Sequence, residues 1–379
     1  MMLTFKRLIG VAAAWSLLSS GVAFAAANGV TDTEIRLGTS AVLTGPLGPQ
    51  TLEYGVGARL YFDSVNARGG VHGRKIVVRA VDDAFDVKRA VKNTRELIET
   101  DKVFLIYNNS GTAHTTAIMP LVTEAKTIVF APVTGASSLR DKYSRYLFHV
   151  RAGYADEAAA FVKQLEQLGV KRVAAFYQDD GFGKALMAEV HKAAANRVEL
   201  VVEAKVDPKN PDFTAAAAQI AAAEPQALVM GTAGGTFTGL LKALSETPAR
   251  PTVYGFSVMS VDQTNKDLGP AARGIVLAQI MPSLANPANP AVYHYLELVK
   301  AKGGEPSNTQ FEGYMQARVL VEGLRNAGRD LNTESLVRGL ESVGEISYGK
   351  FRVRYSPTSH AGSDYVELAI IDGRGRLRY

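Results

Sequence analysis

The chain has no cysteine in its 379 residues. That excludes disulfides, thiolate nucleophiles and thiolate metal sites, and leaves stability to an apolar core. A hydrophobic fraction of 47% can supply one. Tryptophan is almost missing, with Trp15 alone. Beyond residue 25 no apolar run reaches the roughly 18 residues that a membrane-spanning helix needs. Neither sign of charge dominates: the net charge is +5, and basic residues do not cluster among aromatics. A nucleic-acid partner is therefore not expected. His72, His114, His149, His191, His294 and His360 are scattered, with no i, i+4 pair that would suit zinc. There is no G-x-S-x-G elbow. There is also no P-loop lysine and no G-x-G-x-x-G after the first strand, and the glycines at 231–235 imitate a nucleotide loop only loosely. These gaps point away from catalysis, and neither a cofactor nor a metal is expected.

Residues 1–25 read as a secretory leader. Lys6 and Arg7 precede a short apolar stretch at 8–18, and Ala23-Phe24-Ala25 presents small residues at a cleavage site. Removing 25 residues from 379 leaves 354, and losing two basic residues lowers the net charge from +5 to +3. A mature chain of that length suits two lobes better than one.

The remainder alternates short β-branched runs with longer helical patterns, the pattern of a doubly wound α/β fold. Strands are expected at 34–40, 75–81, 103–107, 127–131 and 146–150. A second series follows at 172–177, 198–206, 227–231, 252–256 and 274–279. Helices then dominate up to 343, and two strands, at 348–355 and 365–372, close the chain. The stretch VFLIYNNSGTAHTTAIMPLVTEAKTIVFAPVTGA at 103–136 is the most informative. It reads as strand, small polar loop, helix, strand, small loop. Both loops fall at carboxyl ends of parallel strands, where open α/β sheets bind ligands. Hydroxyls beside a helix start make a cradle for a small anion such as a carboxylate. The cradle residues are Ser110, Gly111 and Thr112 in the first loop, and Val133, Thr134 and Gly135 in the second. Ser110 and Thr112 have an alternative role as caps of the following helix. Asp82, Asp83 and Asp86 read as helix-start residues, because their spacing lacks the glycine and terminal glutamate of a Ca²⁺ loop.

Several segments in order carry a resemblance: LTGPLG at 43–48, FDSVNARGGVHGRKI at 62–76, VDDAFDVKRA at 81–90, FAPVTGA at 130–136 and YQDDGFGKAL at 177–186. Over essentially the whole mature chain the sequence resembles the exported solute-binding proteins of ABC importers, of the branched-chain amino-acid (Leu/Ile/Val) type. The resemblance implies a type I periplasmic binding fold of class α/β, with two flavodoxin-like lobes joined by three crossover strands and closing on a ligand by a hinge. It implies crossovers near 150–153, 275–280 and 351–353. One lobe would then comprise 28–150 plus 281–350, and the other 151–280 plus 351–379. It also implies a periplasmic monomer that takes a small carboxylate or amino acid to a permease in the inner membrane.

Carried over by position, the resemblance assigns carboxylate binding to Ser110 and Thr112, and ligand contacts to Val133, Thr134 and Gly135. It adds Gln50 after the first strand, the aromatic Phe182 in the second lobe, and Ser257 where an acidic residue often holds an ammonium. Ser257 offers only a neutral hydroxyl, so a 2-oxo acid, an aromatic carboxylate or an amide suits the cleft as well as leucine does. Each position has a plainer reading: Gln50 as an exposed first-turn residue, Phe182 as core, Ser257 as a strand-end serine. An extracytoplasmic sensor subunit and an exported α/β enzyme are the rival functions.

Overall fold

The apolar alternation resolves into two large sheets, each flanked by helices on both faces, and a small three-stranded one, in a computed structural model that describes residues 28–45 and 47–379. The leader read at 1–25 lies outside the described residues. The first series is β1 (Glu34–Ala41), α1 (Gly48–Asn66), β2 (Lys75–Asp82), α2 (Val87–Glu99), β3 (Leu105–Tyr107), α3 (Thr112–Glu124), β4 (Ile128–Phe130) and β5 (Leu147–Phe148). These strands are all parallel, in the order β2-β1-β3-β4-β5. The order reverses between β1 and β3, and a crevice opens there.

The second series is α4 (Tyr154–Gln167), β6 (Arg172–Gln178), α5 (Gly181–Ala194), β7 (Glu199–Val206), α6 (Phe213–Ala222), β8 (Ala227–Gly231), α7 (Gly234–Ser245), β9 (Thr252–Gly255), α8 (Val261–Leu268) and β10 (Val276–Gln279). Its order, β7-β6-β8-β9-β10, repeats that of the first sheet. The chain then returns to the first lobe through α9 (Pro290–Ala301), α10 (Asn308–Asn326) and α11 (Thr333–Ser342), followed by β11 (Glu345–Tyr348), β12 (Phe351–Ser356) and β13 (Ser359–Gly362). Finally β14 (Glu367–Ile371) and β15 (Leu377–Arg378) join the second sheet antiparallel, β14 against β10 and β15 against β14.

The closing segment differs from expectation in two ways. The run at 348–355 is not one strand: it turns at Gly349 and Lys350, so that β11 and β12 pair antiparallel, with β13 as a third strand. The third passage between lobes accordingly lies between β13 and β14, not at 351–353. The cause is burial, since Phe351, Val353 and Tyr355 pack into the core of the first lobe. Apolar side chains at every second position of β12 commit that strand to the first lobe.

Helix α10 lies directly on α1. A Cβ at Gly57 would come within 1.7 Å of the Gln310 carbonyl, and one at Gly313 within 2.0 Å of the Tyr54 carbonyl. Only glycine permits that backbone approach, and it brings Tyr54 beside Glu312. Among the described residues no helix is long and apolar enough to cross a membrane.

Candidate ligand-binding cleft

A cavity of about 80 Å³ lies where the two lobes face each other. It is bounded by loops that leave the carboxyl ends of β1, β3 and β4 in the first lobe, and β6, β8 and β9 in the second. From the first lobe come Val42, Leu47, Gln50, Thr51, Tyr54, Phe85, Ser110, Gly111 and Val133. Tyr154, Gln178, Phe182, Ala233 and Val258 come from the second. A larger cavity, about 550 Å³, opens among Leu244, Arg250, Thr252 and Ile275. It sits at the opposite end of the second sheet and receives nothing from the first lobe, so the interlobe cavity is the better candidate.

The two loops of the first lobe are stitched together beyond the ends of their strands. Ser110 and Val133 form a parallel bridge, the Gly111 N–H donates to the Val133 carbonyl at 3.3 Å, and the Val133 N–H donates to the Asn109 carbonyl at 2.9 Å. Gly111 is the N-cap of α3, and no side chain caps the first turn. The Ser110 hydroxyl is buried and has no protein partner within hydrogen-bond reach. Capping is thus not what Ser110 does, and an orphaned buried hydroxyl costs about 1–3 kcal/mol unless something bonds it. The asparagines before it serve the scaffold: Asn108 donates to Gln316 of α10 at 2.5 Å, and Asn109 to Thr115 at 2.8 Å.

Thr112, Thr134 and Gly135 stand behind the cavity wall. The Thr112 and Thr134 hydroxyls bond each other at 2.8 Å, and Thr134 also accepts from the Ala136 N–H at 3.2 Å. The Gly135 carbonyl accepts from the Tyr154 N–H at 2.8 Å. A Cβ at Gly135 would lie 2.6 Å from the Tyr154 ring, so this loop can meet the start of α4 only as glycine. Gln50 spans the cleft, donating to the Val258 carbonyl at 2.6 Å. Phe182 packs edge-on against Tyr154, with ring centroids 6.0 Å apart.

Ser257 is the site residue that the structure moves elsewhere. It does not line this cavity but a small polar one beside it, with Asp262 and Glu312. Its N–H and hydroxyl donate to the Glu157 carboxylate at 2.7 and 2.8 Å, and its oxygen accepts from Arg151 at 2.5 Å. The buried carboxylate of Glu157 claims the serine, which leaves it no donor to offer a ligand. Burial pushes Glu157 up to about 7, against the opposing pull of Arg151 and Ser257.

Tyr54, Phe85, Tyr154 and Gln178 line the cavity without having been read as site residues. Each had a signal in the sequence. Phe85 and Gln178 sit inside the DDAFD and YQDDGFG segments, Tyr54 is one helical turn after Gln50, and Tyr154 follows the first passage directly. Phe85 stacks on His114 at 4.7 Å. Burial lowers the pKa of His114, with the charge of Asp83 pulling the other way. The three aspartates act as turn and cap acceptors: Asp86 caps α2 through the Arg89 N–H at 2.7 Å, and Asp83 accepts from Ser40 and from the Phe85 N–H, both at 3.0 Å. Asp82 binds the β1–α1 turn through Leu43 and Thr44. Although burial opposes its ionisation, these hydrogen bonds hold the Asp82 carboxyl at about 2.

Comparison with known proteins bears on the family and the fold. A family model described as periplasmic binding protein matches residues 34–375. A Leu/Ile/Val-binding protein homolog from Brucella melitensis is 23% identical over 357 residues, which is 93% of this chain and 96% of that protein. An extracellular ligand-binding receptor from Verminephrobacter eiseniae superposes with a TM-score of 0.85 at 28% identity, covering 92% of this chain and 100% of the other. A substrate-binding periplasmic protein from Ralstonia solanacearum gives a TM-score of 0.84 at 27% identity, covering 91% and 99%.

Proposed function

The chain belongs to the periplasmic binding protein family, and from that premise we propose that it captures a small carboxylate between its lobes and delivers it to the permease of an ABC importer. The observation that carries this reading is the buried, unpartnered Ser110 hydroxyl at the uncapped start of α3, on the cavity wall. A carboxylate there gains a hydrogen bond from Ser110, the first-turn N–H groups and the positive end of the helix dipole. Thr112, Thr134 and Gly135 hold that loop in shape. Val42, Val133, Phe85 and Phe182 offer the body of the ligand an apolar enclosure, and Gln50 joins the lobes above it. The protein works as a monomer in the periplasm after loss of its leader.

Every lining side chain is uncharged, and the nearby Glu157 already bonds Ser257. A buried ammonium would lack a counter-charge, at a cost of several kcal/mol. The favoured ligand is therefore an aromatic or 2-oxo acid. A branched-chain amino acid is the second reading, supported by the name of the Brucella relative. Calorimetric titration with matched pairs tests both: leucine against 4-methyl-2-oxopentanoate, and phenylalanine against phenylpyruvate. The deaminated partner of each pair is expected to bind more tightly. Tighter binding of leucine would establish the second reading, and failure of every carboxylate to bind would refute the first.

A further inference from the structure

Beside the cleft lies a charged cluster that the ligand reading does not use. Arg151, on the first passage between lobes, is fully buried. Its Nη1 faces Glu312 of α10 at 3.6 Å, and its Nη2 lies 4.0 Å from Glu157 of α4 and bonds Ser257. Glu312 belongs to the first lobe, and Glu157 and Ser257 to the second. The cluster is thus shared between two bodies, with one cation against two acids. Nη1 and Nε of Arg151 have no hydrogen-bond partner, so the guanidinium does not satisfy both carboxylates at once.

We propose that Glu157 is a positioning residue that couples closure of the cleft to uptake of one proton. The inference rests on the reading that the lobes close around a ligand. With the lobes apart, solvent reaches the cluster and Glu157 behaves as an ordinary carboxyl group. With the lobes together, Glu157 and Glu312 share one guanidinium in a medium that solvates charge poorly, and one acid is better neutral. Protonated Glu157 still accepts from Ser257 through one oxygen and carries a proton on the other.

The groups facing Glu157 are Arg151 from the passage, Ser257 from the loop after β9, and Glu312 from α10. Tyr54 of α1 lies behind Arg151 and Glu312, Tyr154 opens α4, and Arg140 comes from the segment between β4 and β5. The Glu157 carboxyl is pushed up to about 7, with burial and, less strongly, Glu312 raising it against the pull of Arg151 and Ser257. The closed state therefore binds more protons than the open state between roughly pH 4.5 and 7, so closure weakens as pH rises through that window and is level above it. Burial favours the neutral form of His114 and His149.

The test is ligand affinity at pH 6 and pH 8, using a 2-oxo acid that is ionised throughout. The wild-type protein is expected to lose about tenfold in affinity across that span, the limit for one group with a pKa near 7 in the closed state only. Glu157→Gln keeps the shape and removes the proton, and its affinity should be flat within about twofold. Glu312→Gln removes the like charge and should move the midpoint to lower pH. A flat wild-type profile, or an unchanged slope in Glu157→Gln, would overturn the proposal. Small-angle scattering of the ligand-free protein gives a readout that needs no ligand. The wild-type radius of gyration should be smaller at pH 6 than at pH 8, and that of Glu157→Gln should not change. If no carboxylate binds, the transport reading fails and scattering still decides the proton linkage.

Discussion

Ser110→Ala separates a ligand contact from a structural one. The hydroxyl is buried without a partner, so its removal takes no hydrogen bond from the ligand-free protein. Ligand-free stability should stay constant or rise by up to about 1 kcal/mol, as the desolvation penalty is relieved. A bound carboxylate changes the account, because a hydrogen bond to a charged group contributes about 1.5–3 kcal/mol, or roughly 10- to 150-fold in Kd. At a ligand concentration about 1,000 times Kd, the wild-type protein gains about 4 kcal/mol from mass action. A 30-fold weaker variant at the same concentration gains only about 2 kcal/mol. Calorimetry gives the Kd ratio, and denaturant titration with and without ligand gives the two stabilities. The reasoning fails if Ser110→Ala binds as tightly as the wild type, or if ligand-free stability drops as far as binding does.

Thr112→Ala should behave differently from Ser110→Ala, because it breaks the bond to Thr134. Ligand-free stability should fall by about 1 kcal/mol along with affinity, as seen by denaturant titration. Gly135→Ala should cost about 1–3 kcal/mol, since its methyl group would press on Tyr154 at 2.6 Å. Arg151→Met should be the most damaging of these changes, by about 3–5 kcal/mol at pH 8, because it strands two buried carboxylates. Acidification to pH 6 should recover part of that loss by protonating Glu157, so melting temperatures at the two pH values check it. Asp82 contributes stability above the ordinary carboxylate range that is lost as pH falls toward about 2. Asp82→Asn should therefore melt lower than wild type at pH 5, with the gap narrowing toward pH 2.5.

The two sheets and their loops were legible because each strand is an apolar run bounded by turn residues, a signal confined to a few neighbours. The loops at 110–112 and 133–135 were legible for the same reason, as short polar breaks after buried strands. What sequence hid was contact at a distance. Ser257 reads as a strand-end hydroxyl until Glu157, 100 residues earlier, is seen to accept from it. Tyr154 reads as an ordinary helix start, and only the approach of Gly135 reveals it as cavity wall. Strand β12 alternates equally well for either lobe. Phe351 and Val353 choose the first because α10 and α11 arrive there, and no window around residue 351 records that. Helix α8, with the polar sequence VDQTNKDL, has no apolar stripe to announce it.

The late third passage has a consequence for how this chain can be made and taken apart. The edge of β10 is covered by β14, and β14 by β15, which begins at Leu377. On a ribosome the second lobe therefore presents an uncovered strand edge until β14 and β15 have been made, an opening for association with other chains. The first lobe waits almost as long, because its core includes α10 and β12. Neither lobe is one continuous stretch of gene, and no single cut of the chain releases one lobe free of the other. Isolating a lobe calls for joining segments that are distant in sequence, and deleting residues 367–378 strips the antiparallel strands from the edge of the second sheet.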